Sequence, residues 1–368
     1  MATSETNTTA PTTTVAPRAS PPILATDDLA YFPPEERRVF AFSSGGDRVA
    51  FLSEPMDEIS LHVVNSDGTD SRRLVTPDRN QFPPEEPALV PDEPAFAPDG
   101  SEIAFVRYLP TRTRGPDGSY RTYQTDVQLT DVDGTGLTNI SDSDAVGGER
   151  YPIFSPDGQK VVYEAAGKGT DILEMSLDGN GPTNLTDSQG NDLRPAFSPD
   201  GEKIVFQSNR HGMTNFDIYV MDADGSSQVR LTRDSAWDHD QVFSADGKKV
   251  AFSRRELADP LESEVYVVNI DGTGLTRLTE RPGYDGQPAF IPGTDRVAFV
   301  SGRDGDDDIY TVRLDGTNLT NLTDTDSASE ARPLFSADGA KMAYAGVRLD
   351  RFGNQVNGVY VIELDHAE

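Results

Sequence analysis

The chain has 368 residues, with 62 Asp and Glu against 32 Lys and Arg, a formal net charge of −30. That charge excludes a sequence-independent grip on nucleic-acid phosphates and disfavours an anionic membrane surface, since both need clustered cations. No cysteine is present, which removes disulfides, thiolate nucleophiles and zinc–thiolate sites, and no apolar run approaches the roughly 18 residues of a membrane span.

Residues 1–22, MATSETNTTAPTTTVAPRASPP, carry Val15 as their one large aliphatic side chain. Such a segment cannot bury enough surface to offset its ordering entropy, so 1–22 reads as a disordered tail ahead of one domain over 23–368. No basic start followed by an apolar stretch marks a secretory signal. The tail suits a cytoplasmic protein, or the stalk of a periplasmic or extracellular one whose signal or anchor was removed. The compartment stays open.

The remainder is one unit written seven times. Its marker is Phe42-Ser-Ser-Gly-Gly-Asp47, then Phe96-Ala-Pro-Asp-Gly100, Phe154-Ser-Pro-Asp-Gly158, Phe197-Ser-Pro-Asp-Gly201, Phe243-Ser-Ala-Asp-Gly247, Phe290-Ile-Pro-Gly-Thr-Asp295 and Phe335-Ser-Ala-Asp-Gly339. The phenylalanines are 54, 58, 43, 46, 47 and 45 residues apart. A period in the mid-forties marks propeller blades or helical repeats, and helical spacing of apolar residues is missing here. Each unit instead shows short period-two runs. In the fourth these are Pro195-Ala-Phe-Ser, Lys203–Ser208, Asp217–Asp222 and Val229-Arg-Leu-Thr232, separated by Asp-Gly turns.

Four antiparallel strands per unit make one blade, and the chain reads as all-β, a single seven-bladed β-propeller with no helix of note. The blades fall near 35–76, 93–140, 150–186, 193–232, 239–279, 286–323 and 331–365. The seventh unit stops after three strands, at Val359–Asp365. A free edge is a liability, so a strand within 23–31 is expected to complete it. Six blades result if the divergent first unit is misplaced.

The F-S-P-D-G phrase, the D-I-Y strand, the D-x-D-G turn and the following L-T strand resemble the TolB-type WD-like propeller repeat over roughly residues 35–365. The resemblance implies a rigid scaffold that binds protein or ligand at a channel mouth. Relatives of this type include the Pal-binding periplasmic TolB component, gating propellers of prolyl oligopeptidases and some propeller lyases. TolB itself carries an N-terminal α/β domain that this sequence does not show.

Catalytic signatures are sparse. Neither G-x-S-x-G nor H-E-x-x-H occurs. The histidines are His62, His211, His239 and His366. His211 is expected in a second-to-third strand loop and His239 in the loop entering unit five, on one face. Five residues before each repeat Phe stand Arg37, Pro91, Glu149, Asp192, Asp238, Asp285 and Glu330. This position is expected just before the innermost strand, which aims five carboxylates at one channel mouth. Converging like charges raise each other's pKa, and a hard cation such as Ca²⁺ relieves this. The alternative is pairing with Arg150, Arg194 and Arg332.

Asp126, Asp171, Asp217, Glu264 and Asp308, at the start of each third strand, read as braces between neighbouring strands. Asp222-Ala-Asp-Gly225 and Asp304-Gly-Asp-Asp-Asp308 look calcium-like but lack the closing Glu of an EF-hand loop.

In unit two, the segment between the second and third strands is long, cationic and aromatic: Arg107, Tyr108, Arg112, Arg114, Tyr120, Arg121 and Tyr123. Arg and Tyr anchor interfaces, and loops on rigid scaffolds carry function. Trp237 precedes Asp238 at the same mouth, as a stacking platform or a plug. The expected function is a non-catalytic scaffold, monomeric and without membrane insertion, binding a protein or peptide on one face, with Ca²⁺ as the candidate cofactor. The alternative is a lyase or hydrolase acting on an acidic or sugar ligand through Asp238, His239 and their neighbours.

Overall fold

The computed structural model describes residues 18–19, 23–26, 40–53, 60–76, 91–110, 123–141, 148–212, 215–256, 262–323, 329–349 and 355–365. They form seven antiparallel sheets and, among the described residues, no helix. Blades one to six each contain four strands in chain order. The first strands are Phe40–Phe42, Pro91–Phe96, Glu149–Phe154, Asp192–Phe197, Trp237–Phe243 and Asp285–Phe290.

Blade seven is Ser329–Phe335, Lys341–Leu349 and Gln355–Asp365, closed on its outer edge by Ile23–Thr26. Arg18–Ala19, inside the stretch read as a tail, also pair with that edge, opposite Leu364 and Asp365. Seven blades, closed by an N-terminal strand, therefore match the repeat count.

The sheets exist because the second strands are apolar on both faces and covered on both. Ile204, Val205 and Phe206, and likewise Val250, Ala251 and Phe252, are fully buried. Seven apolar clusters occur, one at each junction between neighbouring blades, and the last, Phe40 and Val49 with Ala343 and Val359, joins blade one to blade seven. Closing the ring thus buries the same kind of surface seven times.

The Asp-Gly turns need backbone that side chains resist. Gly201 has φ 73° and Gly225 φ 85°. Ser198 Oγ accepts from Lys203 N at 2.9 Å, which fastens the first turn of blade four. All these turns lie at one end of the blades. At the other end, first strands begin and second strands finish: Asp192 stands opposite Ser208, and Ser208 opposite Asp217. This loop face carries the ring carboxylates Glu149, Asp192, Asp238, Asp285 and Glu330.

Candidate functional site

The five ring carboxylates lie at the loop face but inside the innermost strands, not ahead of them. Glu149, Asp192 and Asp285 are first residues of their strands; Asp238 and Glu330 are second. All five are between 0% and 3% exposed. A buried carboxylate must be paired, and three are closed by arginines of their own blades. Arg210 Nη2 donates to Asp192 Oδ2 at 2.8 Å, with Nε 3.3 Å from Oδ1. Arg254 meets Asp238 through Nε and Nη2 at 2.7 and 2.9 Å. Arg303 Nη2 lies 2.9 Å from both oxygens of Asp285.

Each guanidinium also stacks on two rings. Arg210 lies over Phe206 and Tyr219, Arg254 over Phe252 and Tyr266, and Arg303 over Phe299 and Tyr310, at 4.6–5.4 Å. These arginines, and not Arg150, Arg194 or Arg332, hold the three aspartates. They end the second strand or just follow it, after Ser208, Ser253 and Ser301, and that recurrence is the sequence signal that identifies them.

Blades three and seven depart from this latch. The acid is Glu, and the second-strand ring is Tyr163 or Tyr344. Glu149 Oε2 accepts from Val127 N at 3.2 Å, and its own N donates to Thr125 Oγ1 at 2.6 Å, both in blade two. Glu330 N donates to Asp307 O of blade six at 2.7 Å.

The third-strand acids act as read. Asp126, Asp171 and Asp308 accept from Asn139, Asn184 and Asn321 at 2.7, 2.9 and 2.7 Å, and Asp217 pairs with Arg230 at 2.7 Å. Glu264 pairs with Arg277. Every partner sits in the two-residue fourth strand, which these bonds attach to its blade.

A second ring was not anticipated. Three residues before the repeat Phe, Glu93, Tyr151, Arg194, Asp240, Gln287 and Arg332 all have left-handed backbone, with φ of 51–57°. Each sits at a register shift in its innermost strand. Such a conformation costs a non-glycine residue about 1–2 kcal/mol, and a repeated geometry explains it: the bulge turns the N–H toward the preceding blade. Tyr151 N donates to Glu93, Arg194 N to Glu164 Oε1 at 2.6 Å, Gln287 N to Ser253 Oγ at 3.1 Å, and Arg332 N to Gln287 Oε1 at 2.7 Å. In five of the six blades the next residue is proline, namely Pro94, Pro152, Pro195, Pro288 and Pro333; blade five has Gln241. Proline suits an edge strand because it offers no N–H there.

Blade five concentrates the unusual chemistry. Arg194 Nη1 meets Asp240 Oδ1 at 2.8 Å, and His239 Nδ1 lies 3.1 Å from Asp240 Oδ2. Burial pushes the Asp240 carboxyl up, but the His239, Arg194 and Arg332 charges outweigh it and hold the group below the usual carboxylate range. His239 is within the first strand of its blade, not in the entering loop. His211 instead bonds Tyr219, so the two histidines have different partners. Trp237 is half-buried, stacked on Phe216 at 5.9 Å and covered by Arg255 at 4.2 Å.

Arg107, Tyr108 and Tyr123 fall in the strands of the blade-two hairpin; Arg112, Arg114, Tyr120 and Arg121 lie outside the described residues. Asp304, Asp306 and Asp308 bring carboxylate oxygens within 4.8 Å of one another, a group that could hold a metal ion. Their existing bonds run to Tyr310 and Asn321.

The ring of seven four-stranded blades defines a β-propeller whose inner strands carry a buried polar lining. A profile of the TolB beta propeller domain family matches residues 86–261 and 257–359, and the chain belongs to that family. Among solved structures it is similar to TolB from Acinetobacter baumannii, with 23% identity and a TM-score of 0.53, over 76% of this chain and 64% of that one. An oligogalacturonate lyase in complex with manganese gives 15% identity and a TM-score of 0.59, covering 77% and 78% of the two chains. The propeller domain of the Trilobed protease from Pyrococcus furiosus gives 12% and 0.58, covering 94% and 93%. The chain therefore spans less than two thirds of the Acinetobacter TolB, and these likenesses show the fold alone. No curated protein matches. No helix of the described residues is long and apolar enough to cross a membrane.

Proposed function

We propose that this propeller is a non-catalytic scaffold that binds a protein or peptide on its loop face, through the blade-two hairpin. The observation that carries the reading is an extended hairpin whose sequence is rich in both Arg and Tyr; blade seven extends its hairpin equally, through Val347–Asn357, Arg348–Val356 and Leu349–Gln355, with fewer arginines and no tyrosine between its paired ends. In blade four the pairing of second and third strands ends at Ser208 opposite Asp217, and in blade six at Ser301 opposite Asp308. In blade two the equivalent pair is Arg107 with Asp126, and the ladder continues through Tyr108–Thr125, Leu109–Gln124 and Pro110–Tyr123. At about 3.4 Å per residue the paired frame rises roughly 10 Å further. Such a frame lowers the ordering cost of binding.

Three ring carboxylates are already occupied by arginine, so a Ca²⁺ there would have to displace guanidinium groups, and it is not part of this proposal. A second reading, an enzyme at the channel mouth, rests on His239 beside Asp240, while Asp238 is closed by Arg254.

Selection from a random peptide library on the immobilised protein tests the proposal. Selected peptides should lose binding to Arg107→Glu and to Arg112→Glu/Arg114→Glu/Arg121→Glu, and keep it for Asp240→Asn. Peptides indifferent to both hairpin variants would overturn it.

A further inference from the structure

The bulge bonds show which side chains a neighbouring blade offers its successor. Glu164 and Ser253 stand opposite the residue just before the bulge of their own blades and accept the next blade's bulge N–H. Gln207 occupies that place in blade four, opposite Leu193, the register position from which Glu164 and Ser253 reach the next blade's bulge. Its Oε1 is enclosed and accepts no hydrogen bond. Gln241, standing where the repeat puts proline, donates through Nε2 to Arg194 O, and its Oε1 too is enclosed without a partner. The two residues are 4% and 5% exposed and flank one bulge, Leu193–Arg194. A buried acceptor without a donor costs free energy that an apolar side chain of the same shape would not. Two together, one of them at the position where the chain's other bulged strands carry proline, point to a missing donor.

We propose that the junction of blades four and five on the propeller axis binds a primary ammonium group, with Gln207 Oε1, Gln241 Oε1 and the Asp240 carboxylate as its acceptors. The sign of the charge follows from the acceptors. Two enclosed amide oxygens without partners call for a donor, the acids Glu93, Glu164 and Asp240 are matched in number by Arg194, Arg332 and His239, and in a chain at −30 a cation is drawn toward the axis. A divalent metal such as Ca²⁺ fits less well: beside Arg194 and His239 the Asp240 oxygens keep lone pairs for one further N–H donor, which with two amide oxygens falls short of the about six to eight oxygen ligands such an ion takes. The site adjoins solvent: the side chains of Arg194 and Asp240 are 27% and 21% exposed. The ammonium can belong to a lysine of a partner or to a free amine.

Thermal melts test this without knowledge of any partner. Saturating n-butylammonium chloride should raise the midpoint by about 2 °C or more over sodium chloride of equal ionic strength. The difference should vanish in Gln241→Pro, which restores the repeat, and in Gln207→Leu. Neither variant should melt below the wild type without amine, since each removes an unpaired acceptor. A stronger effect of Nα-acetyl-lysine methylamide than of butylammonium would assign the site to a peptide lysine, and the reverse order to a free amine. Equal midpoints in both salts, or a shift that survives both variants, would overturn the proposal. So would a Gln207→Leu protein less stable than the wild type, which would mark the amide as structural. The hairpin variants do not enter this test, so the two proposals fail separately.

Discussion

Blades four to six and blades three and seven place an acid at the same point of the same strand and satisfy it differently. In the middle three blades Asp is short, the facing ring is Phe, and an arginine lies over the packed Phe and Tyr rings with both carboxylate oxygens in reach. In blade three no arginine follows the second strand, and in blade seven Arg348 stands four residues after Tyr344, as Arg210 does after Phe206; in both blades the acid is Glu and the ring is Tyr163 or Tyr344. Acid length and ring hydroxyl change together. The buried acid is therefore a structural latch satisfied in more than one way, and its recurrence around the ring follows from repetition of a blade.

The largest effect should come from breaking one latch. Asp238→Ala leaves the buried Arg254 guanidinium with only the half-exposed Asp234 as ion-pair partner and should cost about 3 kcal/mol in denaturant unfolding. Asp238→Leu with Arg254→Met should recover most of that loss, since a well-packed apolar pair can replace a buried ion pair. If the single and double variants unfold alike, the latch is not an isolated pair.

Exchange of the Asp and Glu forms sharpens the comparison. Arg210→Ala should cost about 2–4 kcal/mol, and adding Asp192→Glu and Phe206→Tyr should restore at least about 1 kcal/mol of it. No recovery in the triple variant would mean the Glu–Tyr pair works only with the neighbours of blades three and seven.

The brace residues predict a smaller loss. Asn184→Ala removes the donor to Asp171 and should cost about 1 kcal/mol. Its effect should appear first as faster amide exchange in the Thr183–Asn184 strand.

The pH dependence distinguishes Asp240 from the latches. Its carboxyl is held low in the folded state, so its stabilisation is complete above the unfolded value near 3.9 and fades as pH falls toward the folded value. Asp240→Asn should flatten the acid limb of stability against pH below about 4. Asp285 has the opposite sign: burial pushes its carboxyl up despite Arg303, so protonation on acidification opposes unfolding there. An unchanged acid limb in Asp240→Asn would remove the axial charge cluster from the account.

Much of this was readable in the sequence, for physical reasons that also explain the gaps. The Phe-to-Asp-Gly phrase gives the blade count because each phrase is a strand, a turn requiring positive φ, and a strand. The third-strand acids were identified correctly because their partners lie at a constant distance along the chain, on the adjacent strand. The latch arginines were missed because Arg210, Arg254 and Arg303 do not share one offset from Phe: Arg254 is paired within its strand, whereas Arg210 and Arg303 follow theirs. The axial bulges were missed because a left-handed φ at Tyr151 or Arg194 breaks local preference, and only the neighbouring blade explains it. The proline after each bulge was visible, and so was its replacement by Gln241.

The account rests on the ring acids being latches closed by arginine, not ligands awaiting an ion. Thermal melts with saturating Ca²⁺, with EDTA, and with sodium chloride at matched ionic strength test it, using Asp304→Asn to break up the Asp304, Asp306 and Asp308 group. The latch account predicts one midpoint for Ca²⁺ and sodium chloride in that variant. A Ca²⁺-specific rise of several degrees that survives Asp304→Asn and disappears in Asp285→Asn would contradict it.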